Sequence, residues 1–125
     1  MKKIISTKNA PEAIGPYSQA VEVNGMLFLS GMLPIDPTTG SFVPGGVKEQ
    51  TAQIFINIKA VLSVAEMNIG HVVKTTVYLN DMSLFDGMNQ VYASQFKDVF
   101  PARSTIAVKS LPKNALVEIE VIAFK

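Results

Sequence analysis

The C-terminal stretch Val117-Glu118-Ile119-Glu120-Val121-Ile122-Ala123-Phe124 has the two-residue period of a β-strand. Glu118, Glu120, Ile122 and Phe124 share one face, and the Cα atoms of the two glutamates lie about 7 Å apart on it. Two carboxylates on a partly apolar face have two readings. One is a solvated strand end, with Ile122 and Phe124 buried further along. The other is a partly desolvated carboxylate that acts as a general base or holds a water.

Working back from this strand, Pro112-Lys113-Asn114 supplies a turn, and Thr105 to Lys109 is expected to form the strand before it. Ser83 to about Lys97 places Leu84, Met88, Val91, Tyr92 and Phe96 on one helical stripe, with Pro101 beyond its end. Ser83-Leu84-Phe85-Asp86 resembles a capping box with Asp in place of Glu. Val72 to Leu79 is rich in β-branched residues and reads as a strand. Val47 to Glu66 carries Ile54, Ile58, Val61, Leu62 and Ala65 at helical spacing, with Gly70 as the expected stop. Pro34 to Gly46 reads as an extended loop with a turn at Pro37-Thr38-Thr39-Gly40. Ser18 to Val23 and Met26 to Leu33 read as strands joined by the hairpin signal Asn24-Gly25. Lys3 to Ser6 is a short candidate strand.

Two amphipathic helices and one sheet suggest a two-layer α+β domain. The helices can cover one sheet face, yet Met26, Phe28 and Ser30 oppose Leu27 and Leu29, so both faces carry apolar residues. The uncovered face should seek a second copy, which makes a homo-oligomer the expectation. The alternative is a face closed by the chain's own loops.

At 125 residues, 48% hydrophobic and 17% charged, the chain fits one domain spanning 1–125 with a substantial core. Eleven Lys plus Arg against ten Asp plus Glu give a formal charge of +1, which argues against a strongly basic nucleic-acid binder. With no cysteine, thiol nucleophiles, disulfides and Cys-type zinc sites are excluded. A single histidine, His71, argues against a His-rich metal site, a His-based triad or a two-histidine ribonuclease pair. Met1-Lys2-Lys3-Ile4-Ile5-Ser6-Thr7 lacks the apolar run of a signal peptide, and no window of about 20 apolar residues spans a membrane, so a cytoplasmic location is expected.

Few other residues invite chemistry. Arg103 offers a rigid fork that matches a carboxylate, or is a surface arginine at a strand start. Ser30-Gly31 permits close approach of a ligand to the backbone, or marks a bulge. Tyr17, after Gly15-Pro16, either rims a pocket or packs beside a turn. Gly45-Gly46 precedes a helix but lacks both Gly-rich phosphate-binding patterns.

Ala13-Ile14-Gly15-Pro16-Tyr17-Ser18-Gln19-Ala20, Leu29-Ser30-Gly31, Pro101-Ala102-Arg103-Ser104, Leu111-Pro112-Lys113 and Val117 to Ala123 together resemble the YjgF/RidA family, from about Thr7 to Lys125. The resemblance implies a chorismate-mutase-like α+β fold, one mixed sheet with two helices on one face, and a homotrimer with a central barrel and clefts between subunits. It implies hydrolysis of the enamine and imine products of pyridoxal-phosphate dehydratases to a 2-oxo acid and ammonia, with no cofactor and no metal. By matching position, Arg103 would hold the substrate carboxylate and Glu118 would activate the attacking water. Tyr17 and Ser30 would line the cleft, Gly31 would present its backbone, and Thr105 would offer its backbone N–H. Many relatives carry Cys at the Thr105 position and Gln at the Met32 position, so thiol chemistry is absent here. The competing reading is a non-catalytic trimer that binds a 2-oxo acid.

Overall fold

The computed structural model describes residues 1–125. The C-terminal strand, residues Val117–Phe124, lies inside a six-stranded sheet. In chain order the strands of this sheet are β1 (Lys3–Ile5), β2 (Ala20–Val23) and β3 (Met26–Met32), then β6 (Val72–Leu79), β7 (Ala102–Ala107) and β8, the C-terminal strand. Two-residue strands β4 (Ile35–Asp36) and β5 (Ser41–Phe42) pair with each other inside the Pro34–Gly46 loop. The helices are α1 (Val47–Val64) and α2 (Phe85–Ser94). The sheet order is β1-β2-β3-β8-β6-β7. Its neighbours are antiparallel except β6 and β7, which run parallel with α2 as their crossover. This is the mixed sheet of a two-layer α+β fold, as the sequence led us to expect.

Alternation along β8 sorts the two faces. Val117, Ile119, Val121 and Ala123 are at most 2% exposed and face the helices, while Glu118, Glu120 and Ile122 are half-buried on the other side. The helix stripe Ile54, Ile58, Val61, Leu62 and Ala65 is buried, and α2 buries Met88 and Tyr92. Thr75 of β6 bonds the Tyr92 hydroxyl at 2.7 Å, which fixes α2 on the same face as α1. No helix covers the other face, where Ile4, Phe28, Ile106 and Phe124 are exposed.

Several boundaries differ from the sequence reading. The hairpin forms at Asn24-Gly25, both at positive φ, but β2 starts at Ala20 rather than Ser18. Helix α1 stops at Val64, and Gly70 is not its terminator. Glu66 takes the left-handed conformation (φ 57), Glu66 N–H donates to Ser63 O, and Met67 N–H donates to Leu62 O, which is a Schellman closure. Gly70 falls in a separate 3₁₀ turn, Ile69–His71, capped by Asn68. The expected capping box at Ser83 is absent. Asp81 instead accepts from Ser83 N–H and caps a 3₁₀ turn, Met82–Leu84, that leads into α2. Strand β7 begins at Ala102 rather than Thr105, because its partner is the parallel strand β6, from Lys74 onward. Arg103 therefore lies within a strand.

The helix face of α1 also carries buried amides. Asn57, fully buried, donates to Ile35 O at 2.9 Å and accepts from Gln53 Nε2 at 2.9 Å. Gln50 accepts from Leu116 N–H at 2.9 Å. These bonds, each worth about 1 kcal/mol net, tie the chain leaving β3 and the chain entering β8 to one helix.

Candidate active site

The sheet brings four of the six singled-out residues together. β3 and β8 lose register between Leu29 and Met32, so Ser30 and Gly31 sit at a bulge. Ser30 N–H donates to Gln19 O at 3.0 Å, and its hydroxyl donates to Ser18 O at 2.6 Å. Gln19 also grips the N-terminal segment, accepting from Thr7 N–H at 2.7 Å and donating to Pro11 O at 2.7 Å. Tyr17, Ser30 and Gly31 thus line a cleft of about 50 Å³ together with Pro11 and Met32.

Glu118 lies against Gly31. A β-carbon on that glycine would fall 2.9 Å from Glu118 Cδ and closer still to Oε2, so only glycine leaves the carboxylate where it is. Gly31→Ala is therefore expected to leave the fold intact, since a side-chain end can swing away, while displacing the carboxylate. Circular dichroism should be unchanged, and any activity that depends on Glu118 should fall by about 10-fold or more. Burial pushes the Glu118 carboxyl above the usual carboxylate range, and the charge of Glu120 adds to that. Opposite Glu118 on β6 stands Tyr78, whose hydroxyl donates to Glu120 Oε1.

Arg103 and Thr105 form a second group. Arg103 pairs with Thr75 in the parallel ladder and so faces the helices. Its Nη1 donates to Asn89 Oδ1 at 2.7 Å, and its guanidinium lies 4.7 Å from the Tyr92 ring centroid and 5.5 Å from that of Phe85. The side chain is exposed but aimed, with stacking worth about 0.5–1 kcal/mol at such a site. Val108 N–H donates to Leu79 O at 2.9 Å, so residues 104, 106 and 108 bond β6. The N–H groups of Arg103 and Thr105 then point off the free edge of the sheet. The Thr105 hydroxyl is buried without a hydrogen-bond partner.

Within one chain the two groups do not meet. Glu118 faces the open side of the sheet and Arg103 the helix side. Register places them two strands and three residues apart, about 14 Å between Cα atoms by strand spacing and rise. Phe85, Asn89 and Tyr92, which aim Arg103, escaped the sequence reading as site residues. Their i, i+4, i+7 spacing on one helix face was the available signal. Gly45-Gly46 offers no anion seat, because Glu49 Oε1 accepts from Gly46 N–H at 2.8 Å and already occupies that helix end.

A mixed six-stranded sheet under two helices, with a carboxylate cleft at a β3 bulge and an arginine on the far edge strand, defines an α+β protein of the chorismate-mutase-like kind. The family model described as Endoribonuclease L-PSP matches residues 7–125, and the chain belongs to this family, the YjgF/RidA proteins. It is 51% identical over 125 residues to a RutC family protein of Pyrococcus horikoshii, covering 100% of this chain and 99% of the relative. It is 46% identical over 123 residues to the 2-iminobutanoate/2-iminopropanoate deaminase of Mus musculus, covering 98% of this chain and 91% of that protein. Among solved structures, a Rid family protein of Yersinia pestis superposes with a TM-score of 0.97 at 50% identity over 100% of both chains. E. coli TdcF with bound serine superposes at 0.94 and 40% identity, over 98% of each chain.

Proposed function

We propose that the chain hydrolyses 2-iminobutanoate and 2-iminopropanoate to the 2-oxo acid and ammonia, as a cytoplasmic homotrimer without a cofactor. The observation that carries this reading is the Glu118 carboxylate, half-buried, raised in proton affinity and held against Gly31 at a small cleft. The naming of the mouse relative supports it.

The chemistry follows from the substrate. A 2-imino acid has one carboxylate, an electrophilic C=N carbon and a nitrogen that must leave. The Arg103 fork binds the carboxylate, and the outward Thr105 N–H adds a donor beside it. Glu118 takes a proton from a water as its oxygen bonds to the imine carbon. The nitrogen gains that proton, giving the carbinolamine. Glu118 then passes the carbinol O–H proton to the nitrogen as the C–N bond breaks, so that ammonia departs and the carbinol oxygen becomes the new carbonyl. Tyr17, Ser30 and Gly31 shape the pocket around the small side chain.

Arg103 and Glu118 can serve one substrate only if two copies meet, the edge of β7 on one facing the cleft of the next. The exposed apolar residues of the open face and the unpaired β7 edge support such an assembly. A trimer closes this head-to-tail contact into a ring with three clefts.

The test is imine lifetime. A threonine dehydratase generates 2-iminobutanoate in the presence of semicarbazide, which traps it. The protein should suppress semicarbazone formation; no suppression with either threonine- or serine-derived imine would overturn the deaminase reading. The bound serine of the TdcF structure favours a second reading, a trimer that binds a small amino or oxo acid without turnover, and that outcome would support it. RNA cleavage is no part of either reading, since His71 lies at the far end of β6, its Nδ1 accepting from Asn68 N–H.

A further inference from the structure

We infer that Glu120, clamped by the Tyr78 hydroxyl, is a positioning residue that sets the electrostatic environment of Glu118. The inference deepens the proposed function and rests on Glu118 being its base.

Two observations of geometry carry it. Glu118 and Glu120 share the open face of β8, two residues apart, so their Cα atoms lie about 7 Å from each other. Tyr78 stands directly opposite Glu118 in the β6–β8 ladder, but its hydroxyl reaches along the sheet to Glu120. The tether holds Glu120 near Tyr78 and fixes its negative charge at one place beside the cleft.

Few other charges act on this face. β6 contributes Lys74, opposite Ile122 and one row beyond Glu120, and Tyr78 itself. β3 brings Phe28, Ser30 and Gly31 to these rows, and β7 brings Ser104 and Ile106, none of them charged, while the segment before β2 brings Glu12 and Tyr17 to the cleft at Gly31. Arg103 faces the helices.

The direction of the effect follows. A fixed negative charge opposes ionisation of its neighbour, and Glu120 does raise the proton affinity of Glu118, second to burial. The bond to Glu120 pushes the Tyr78 phenol up to about 12, so the donor keeps its proton through the working range. A base whose proton affinity is raised accepts the water proton more readily than an ordinary carboxylate.

The experiment titrates the Glu118 carboxyl carbon by 13C NMR in the full-length protein, its resonance identified by its absence in Glu118→Gln. In Glu120→Gln the midpoint should fall by about 0.4 pH unit or more, the value for unit charges about 7 Å apart at the dielectric of water. In Tyr78→Phe it should fall by less, because the charge of Glu120 remains and is only released from its fixed place beside Glu118. The acid limb of the kcat/KM profile should move the same way, which a purely structural role would not produce. An unmoved midpoint in folded Glu120→Gln overturns the inference. If that variant does not fold, an unmoved midpoint in Tyr78→Phe overturns it. The titration needs no turnover, so an inactive wild-type protein would sink the deaminase reading and leave this test standing.

Discussion

Arg103→Ala is expected to lower kcat/KM for 2-iminobutanoate by at least about 100-fold. A charge-assisted hydrogen bond to a carboxylate contributes about 1.5–3 kcal/mol, and this side chain can make two, so both affinity and orientation are lost. Arg103 touches its own chain only through Asn89 and the Phe85 and Tyr92 rings, and it is exposed. Its removal should therefore change stability by less than about 1 kcal/mol and leave the oligomer intact. Semicarbazide trapping gives the rate, and light scattering the mass. Full activity in a folded Arg103→Ala oligomer would remove Arg103 from the site.

Glu118→Gln is expected to cost about 10²–10⁴-fold in kcat, the range for loss of a positioned general base, with a smaller change in KM. The amide keeps the size of the side chain and can still hold a water, but it cannot take the water's proton. Stability should not suffer. The folded state disfavours the Glu118 charge, through burial and through Glu120, so a neutral side chain is accommodated at least as well. A thermal melt at or above that of the unmodified protein, with turnover lost, is the expected pair of results. A drop in melting temperature that matches the drop in activity would mean that Glu118 serves the fold instead.

The parts of this protein that were legible in its sequence are those with local causes. The Asn24-Gly25 hairpin needs two positive φ angles and has them. The α1 stripe and the alternation of β8 follow from the periods of helix and strand, and each buries the residues those periods select. What escaped was non-local. Strand β7 starts three residues early because it pairs with β6, which no residue near Ala102 reveals. Glu66 closes α1 although glycine is the commoner residue there, because the closure depends on two backbone bonds rather than on side-chain type. Gln50, Gln53 and Asn57 look like a solvated helix face, yet they are buried because the loops beside them need donors and acceptors.

The site shows the same division. Arg103, Glu118, Tyr17, Ser30, Gly31 and Thr105 could be singled out by type and by resemblance. Which sheet face each occupies depends on register, and register separates Arg103 from Glu118. A single cleft in one chain would need both on one face. The geometry supports instead a cleft that uses the β7 edge of one copy and the β3–β8 bulge of another.

The most direct test of that claim mixes two inactive variants. Arg103→Ala chains and Glu118→Gln chains are co-expressed with different affinity tags, and oligomers carrying both tags are isolated beside each pure variant. If each cleft draws its arginine and its glutamate from different chains, every head-to-tail trimer carrying both tags has both groups in one of its three clefts, and the isolated oligomers should regain about a third of the unmodified activity. If the two residues act within one chain, every cleft lacks one of them. A mixed oligomer as inactive as its parents, beside a fully active unmodified protein, would contradict the account.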